Sequence, residues 1–252
     1  MEKTLVFTHR LDFALRLVDT TSGRNVSARD VTVLVDGEAV HIGEKADGVM
    51  VFQNLAKRAF DLTITSPSFE TAKTAVDLDA QGKGLPLLEV HMVPGARYPG
   101  GVEFWTLCGV MEGIESLSAV RMGENACLIR EFDPRRRMAT VFNPHALALD
   151  RVRYALVDPD RSVFEPFRIE RLVDRQTVKT DRVLEMPYKN YFPITPEICG
   201  VTRDDGSFCL RVRDDAAEAK WLVRWVKDGE EHFKTVDFKA AETPSLEERG
   251  GG

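Results

Sequence analysis

The sequence predicts an all-β protein of two β-sandwiches in tandem, the second a larger and more irregular antiparallel one. Three observations carry this. Apolar and polar residues alternate with period two through one short run after another. Acid–glycine pairs stand between those runs, at 36–37, 47–48, 205–206 and 228–229, and such pairs are strong hairpin signals. Only "DDAAEAK", residues 214–220, has helical composition, and it is long enough for about two turns. In 252 residues, 43% are hydrophobic and 29% charged, a balance that fills a core.

Taken in order, "DFALRLVD" places Phe13, Leu15 and Leu17 on one face, and "TTSGRN" is a turn cluster. "VTVLVDGEAVHI" aligns Val31, Val33 and Val35, then turns at Asp36-Gly37. "KADGVMVFQNL", residues 45–55, turns at Asp47-Gly48 into a strand carrying Met50 and Phe52. "FDLTITS" sends Phe60, Leu62 and Ile64 inward, and "LLEVHMV" aligns Leu88, Val90 and Met92. Each run keeps one polar face, as in a sheet solvated on one side, and so many short strands suit a sandwich over residues 1–93. "PGARYPGG", residues 94–101, reads as a linker.

Beyond it, residues 102–240 form the second domain, with strand candidates "VEFWTLCGV", "ACLIREFD", "RMATVFN", "RVRYALVD", "FEPFRIERLV", "SFCLRVR" and "WLVRWVKDGEEHFKTVDF". Residues 241–252, polar and glycine-tipped, read as a flexible tail. "TRDDGSFCLRV", residues 202–212, repeats the acid–glycine signal. Matching 205–206 to 47–48 sets Phe208 on Met50 and Leu210 on Phe52, facing inward, with Cys209, Arg211 and Arg213 outward. A two-residue loop at 205–206 would put Cys209 opposite Thr202 and Cys199 opposite Val212. Cys108, Cys127, Cys199 and Cys209 are therefore expected to be reduced and separate, with no CxxC pair for a metal. The second acid–glycine turn follows about a hundred residues of its domain. That favours a second sandwich with its own topology over a copy of the first carrying a large insertion.

"LRLVDTTSGRNVSARDVTVLVDG", the Asp47-Gly48 turn leading into "NL", "FDLTITS" and Phe69 together resemble the carboxypeptidase regulatory-like domain. That family is a transthyretin-like (prealbumin-like) β-sandwich, Ig-like in general architecture. The match spans about residues 11–79, with Met50 where the family commonly has an aromatic and Pro67-Ser68 in place of a usual glycine. The resemblance implies a fold and a module that often stabilises or binds its neighbours. It implies no catalytic residue.

A net charge of −6 argues against nucleic acid as a partner. No run of about 18 apolar residues is present, so no membrane span is expected. The N-terminal stretch is broken by Thr8, His9, Arg10 and Asp12, unlike a leader, and a cytoplasmic location is expected. His41 and Glu44 in "HIGE", with His145 downstream, match the His-x-x-Glu spacing of metallocarboxypeptidases, but zinc needs three protein ligands on a rigid scaffold, and the α/β pattern of that peptidase scaffold is absent. His9, His91 and His232 are scattered, and no nucleophile-elbow sequence occurs. No catalytic residue, cofactor or metal is expected.

Two stretches are candidates for contact with a protein partner. "DPRRRM" carries Arg135, Arg136 and Arg137, forks suited to carboxylate or phosphate, though a solvated hairpin tip is the plainer explanation. "MPYKNYFPITP" carries Tyr188, Tyr191 and Phe192 among prolines, reading as an extended strap or a partner-binding edge. The expected function is a non-catalytic structural or protein-interaction protein, an accessory subunit of a bacterial surface or phage-tail-like assembly. One alternative is a carbohydrate- or peptide-binding module with Trp105, Trp221 and Trp225 as a stacking platform. Another is a hydrolase whose site assembles through tertiary contacts.

Overall fold

The computed structural model describes residues 11–45, 47–56, 58–80, 85–99, 104–123, 127–143, 149, 151–186, 191–213, 220–238 and 246. The chain divides into two compact units, residues 1–19 with 25–100 and residues 20–24 with 101–252. It is all-β: apart from one 3-10 turn, Ala28–Asp30, the regular elements among the described residues are strands.

The first unit holds β1 (Leu11–Asp19), β2 (Thr32–Val35), β3 (Glu38–Ala39), β4 (Gly43–Glu44), β5 (Met50–Gln53), β6 (Ala59–Thr65), β7 (Ala72–Asp77) and β8 (Leu87–Met92). They form two four-stranded sheets, ordered β4-β5-β1-β8 and β3-β2-β6-β7. The inward residues of both sheets make one core, among them Phe13, Leu15, Leu17, Met50, Phe52, Phe60, Leu62, Ile64 and Met92. Phe13 stacks on Phe52 with ring centroids 4.3 Å apart. The polar residues between them face out, as the alternation predicts. β1 and β8 run parallel, and Ala14 donates its N–H to the Pro86 carbonyl at 2.9 Å. The stretch read as a linker is described through residue 99 and belongs to this unit: Pro94 bridges Phe69, and Tyr98 packs edge-on to the Phe69 ring.

The second unit holds β9 (Phe104–Val110), β10 (Ile114–Arg121), β11 (Cys127–Asp133), β12 (Met138–Phe142), β13 (Tyr154–Asp158), β14 (Val163–Phe167) and β15 (Ile169–Leu172). These are followed by β16 (Thr177–Thr180), β17 (Phe192–Cys199), β18 (Val201–Thr202), β19 (Ser207–Arg213), β20 (Lys220–Lys227) and β21 (Glu230–Asp237). One sheet runs β15-β16-β12-β11-β17-β10-β20-β21, with β13 and β14 branching from β17, and a second runs β18-β19-β9. The helix-like stretch 214–220 is described only at Lys220, which opens β20.

The two units share a turn. Lys45 N–H meets the Val49 carbonyl at 2.8 Å and Gly48 N–H the Lys45 carbonyl at 2.9 Å. Arg203 N–H meets the Ser207 carbonyl at 2.9 Å and Gly206 N–H the Arg203 carbonyl at 2.9 Å. In each the aspartate Oδ1 accepts the N–H two residues on, at 3.3 Å for Asp47 and 2.9 Å for Asp205. The glycines have φ of 75° and 78°, the left-handed region that closes a three-residue hairpin loop. The expected two-residue loop at 205–206 is thus one residue too short. Cys209 faces Val201 rather than Thr202, and Cys199 faces Ser118 rather than Val212.

The strand order repeats as well. β18-β19-β9 follows β4-β5-β1, and β17-β10-β20-β21 follows β3-β2-β6-β7. The expected independent topology gives way to a second pass through the same order, interrupted between β10 and the end of β17. In the first unit β2 and β3 join through Asp36-Gly37, with φ of 50° and 85°. At the matching place the second carries residues 122–196. Those residues build their own core, with Ile129, Val141, Tyr154, Leu156, Phe167, Val178 and Ile194. The repeated part encloses another, with Leu107, Leu117, Phe208, Leu210, Trp221 and Phe238.

Two further expectations change. Cys108 and Cys209 are not separate thiols but form a disulfide between directly opposed residues of β9 and β19. Their 101-residue separation hid a pairing that only strand register could reveal. Phe192–Cys199 is not a strap or edge but the central strand of the long sheet, paired with β11, β13 and β10. Its prolines are tolerated because each is laddered on one side only, Pro193 against Leu128 and Pro196 against Tyr154.

Candidate functional site

The turn between β11 and β12 displays the predicted arginines. Asp133 Oδ1 accepts the N–H groups of Arg135 and Arg136, at 3.0 and 3.3 Å, which closes the turn. Arg135 and Arg136 are exposed. Arg137 adopts a φ of 54° and turns back onto the sheet. One of its guanidinium nitrogens lies 3.1 Å from Glu170 Oε2, and another donates to the Asp181 carbonyl. Lys179 Nζ reaches Glu170 Oε1 at 2.9 Å. Glu170 is therefore held between two cations, and its hydrogen bond from Lys179, with the charges of Lys179, Arg137 and Arg171, keeps its carboxyl below the usual range.

Of the three arginines, Arg137 is thus structural and the other two are exposed on a charged turn, with Arg136 Nε 3.8 Å from Asp133 Oδ2. Two strands from β12, across β16, lies the edge of the long sheet, strand β15, where Leu172 and the adjoining Val173 are 56% and 44% exposed between exposed Arg171 and Arg175. No sequence signal marked this edge, because "FEPFRIERLV" reads as an ordinary strand and its outermost place is a matter of topology.

The predicted aromatics do not act together. Phe192 is buried in the core of the 122–196 region, opposite Ile129 of β11. Tyr191 is 54% exposed, with φ of 74°. Tyr188 lies outside the described residues. The tryptophan platform is not presented either: Trp221 and Trp225 are buried, Trp105 is half-buried against the same core, and Trp225 stacks on His232 at 5.3 Å.

An open pocket of about 730 Å³ lies elsewhere in the second unit. Glu112, Glu115, Asp204, Asp205 and Asp228 line it, with Arg203 as the cation. Two of its carboxylates serve turns: Asp205 Oδ1 accepts Ser207 N–H at 2.9 Å, and Glu115 Oε1 accepts Gly229 N–H at 2.8 Å. Hydrogen bonds from Ser207 hold the Asp205 carboxyl below its ordinary range. Among the described residues no group of three or more His, Cys, Asp or Glu is placed to hold a metal ion.

The residues weighed for catalysis stand apart. His41 is exposed, and Glu44 accepts a hydrogen bond from Ser27 Oγ at 3.3 Å. His91 pairs with Glu89 at 3.2 Å. His9 and His145 lie outside the described residues. Cys127 is buried, and burial pushes its thiol up to about 11, so it stays protonated and weakly nucleophilic at neutral pH. No helix among the described residues is long and apolar enough to cross a membrane.

No known protein family and no curated protein matches the chain. Among solved structures it is distantly similar to the Bacillus anthracis TIE protein, at 9% identity and a TM-score of 0.20 over 92% of this chain. The chain spans about half of that protein's length, 49%. It is similar at 7% identity and a TM-score of 0.16 to the tandem Ig repeats of Dlar, over 90% of this chain and 94% of that one.

Proposed function

We propose that this is a non-catalytic structural or protein-interaction protein, in which a repeated β-sandwich carries residues 122–196 as a recognition element. The observation behind this reading is strand β15. It ends the long sheet, and its Leu172 together with adjoining Val173 faces solvent between arginines. An edge strand offers a row of N–H and C=O groups to an added strand, and proteins that do not use such an edge usually blunt it. The flanking Arg171, Arg175 and the Arg135-Arg136 tip suit a partner segment with carboxylates. Burial of Trp221 and Trp225 favours a scaffold over a sugar platform.

The first unit, two four-stranded sheets over one core, supports a carboxypeptidase regulatory-like module there. The Cys108–Cys209 disulfide favours an oxidising setting over the cytoplasm, as for an accessory subunit of a bacterial surface or phage-tail-like assembly. The test is co-purification from the native host with wild-type protein and with a Leu172→Lys/Val173→Lys variant whose melting is unchanged. A partner retained by the wild type should fall at least tenfold in the variant, roughly 1.4 kcal/mol of lost binding. Equal recovery by both would refute the role of this edge.

A further inference from the structure

The Cys108–Cys209 bond lies on the outer face of β9 and β19. These strands turn Leu107, Phe208 and Leu210 into the core. Alternation sends Thr106, Cys108 and Val110 of β9 the other way, with Ser207, Cys209 and Arg211 of β19 opposite them. Thr106 and Cys108 are exposed and Val110 is 72% exposed, so solvent reaches the Cys108 end of the bond. Cys209 is half-buried, and Val201 of β18 stands directly opposite it on the side away from Cys108. The two remaining cysteines, Cys127 and Cys199, are buried.

A disulfide opens when a thiolate attacks one sulfur in line with the bond and the other sulfur departs as thiolate. In-line approach to Cys209 crosses β18 at Val201, whereas approach to Cys108 meets exposed surface. Cys209 is therefore the leaving sulfur. Cations lie on its face. Arg211 follows two residues on, about 7 Å along the strand. Arg203 of the adjoining turn places Nη1 3.4 Å from the Oγ of Ser207, two residues before Cys209. Positive neighbours lower a thiol's pKa and favour its departure as thiolate.

We propose that Cys108–Cys209 is a thiol–disulfide exchange site for a small acidic thiol of the glutathione class. The incoming thiolate bonds to Cys108 Sγ, the Cys108–Cys209 bond breaks, and its electron pair stays on Cys209 Sγ. The proton released by the incoming thiol goes to solvent. Attack by Cys209 on the mixed disulfide reverses the step. Attack by a second small thiolate on its own kind in the mixed disulfide releases the oxidised small disulfide and leaves Cys108 as thiolate. Two small thiols are then oxidised and one protein disulfide is reduced. Exchange opens a cross-link that spans 101 residues and leaves the core side chains of both strands in place. The site stands apart from β15 and does not depend on that strand's role.

The test uses the folded, oxidised full chain. It is incubated with excess reduced glutathione, quenched with N-ethylmaleimide and mapped by peptide mass. The expected product carries glutathione on Cys108 and maleimide on Cys209, with Cys127 and Cys199 unmodified. Relative to their rates on the urea-unfolded chain, glutathione should open the bond several-fold faster than cationic cysteamine. Salt at about 1 M, which shortens the Debye length to about 3 Å, should abolish that preference. An Arg211→Gln variant with unchanged melting should react more slowly with both thiols, and most of all with glutathione. Glutathione on Cys209 as readily as on Cys108 would overturn the direction of attack. A bond that opens only after urea is added would be a sealed staple, which would overturn the proposal even if the variant failed to fold. Equal relative rates for the two thiols would overturn the acidic class of the ligand.

Discussion

Cys209→Ser should weaken the second unit strongly under oxidising conditions and only slightly in reductant. Cys209 is bonded to Cys108 across 101 residues of chain. In the chain-entropy account, a cross-link closing a loop of about 100 residues is worth about 4.7 kcal/mol, and native disulfides usually contribute about 2–4. Phe208→Ala, which empties a buried site facing Leu107 and Leu210 in the same core, should cost about 3–5 kcal/mol in either condition. Neighbouring positions on opposite faces of β19 are therefore expected to be about equally costly in air, and to separate widely once the bond is reduced. All three tryptophans, Trp105, Trp221 and Trp225, lie in the second unit, so their fluorescence in urea reports that unit alone. Wild type, Cys209→Ser and Phe208→Ala would each be melted with and without reductant. Coincident wild-type curves in the two conditions, with four titratable thiols in the denatured protein, would refute the disulfide. Phe208→Ala milder than Cys209→Ser in reductant would invert the assigned faces of β19.

Gly206→Val should cost more than Gly48→Val. Both glycines sit at positive φ, worth about 1–3 kcal/mol for a poorly suited residue, but a Cβ added at Gly206 would lie 2.9 Å from the Met111 carbonyl oxygen, whereas one added at Gly48 would lie 2.9 Å from the Asn25 side chain. Equal losses by amide-exchange stability in each unit would show that backbone crowding is not the deciding factor. Glu197→Ala should lower stability by about 3–5 kcal/mol, because Glu197 is 1% exposed and accepts from Arg153 Nε at 2.7 Å. A loss under 1 kcal/mol in urea melts would remove that ion pair from the account. Asp205→Asn should be nearly silent at neutral pH yet flatten the acid limb of stability. Its carboxyl is held low by Ser207, so its contribution is complete above the ordinary aspartate range and is lost as pH falls through the folded value. Superimposable pH–stability curves for wild type and variant would contradict this.

Much of the fold was legible along the chain because the features concerned are local. Period-two alternation placed Phe13, Leu15, Met50, Phe52, Phe208 and Leu210 in cores, where all six are buried. Acid–glycine pairs marked turns at 36–37, 47–48, 205–206 and 228–229, where each glycine has positive φ. Turn chemistry needs only neighbouring residues to act. Loop length was less legible, since one residue more or less at Arg203–Gly206 changes every cross-strand partner in that hairpin.

The site residues divide along the same line. That Arg135 and Arg136 cap an exposed turn follows from Asp133-Pro134 beside them. That Arg137 is committed to Glu170 depends on β12 and β15 both pairing with β16, across more than thirty residues. Proline content made Phe192–Cys199 look unlike a strand, because the intrinsic cost of a missing N–H is visible in sequence and the one-sided ladders that avoid it are not. The sequence by itself determined alternation, turns and the identity of the cores. Which strands become neighbours, which cysteines meet, and which strand ends the long sheet were decided by the tertiary structure. Those depend on register between segments tens of residues apart, where the burial of whole faces outweighs any local preference.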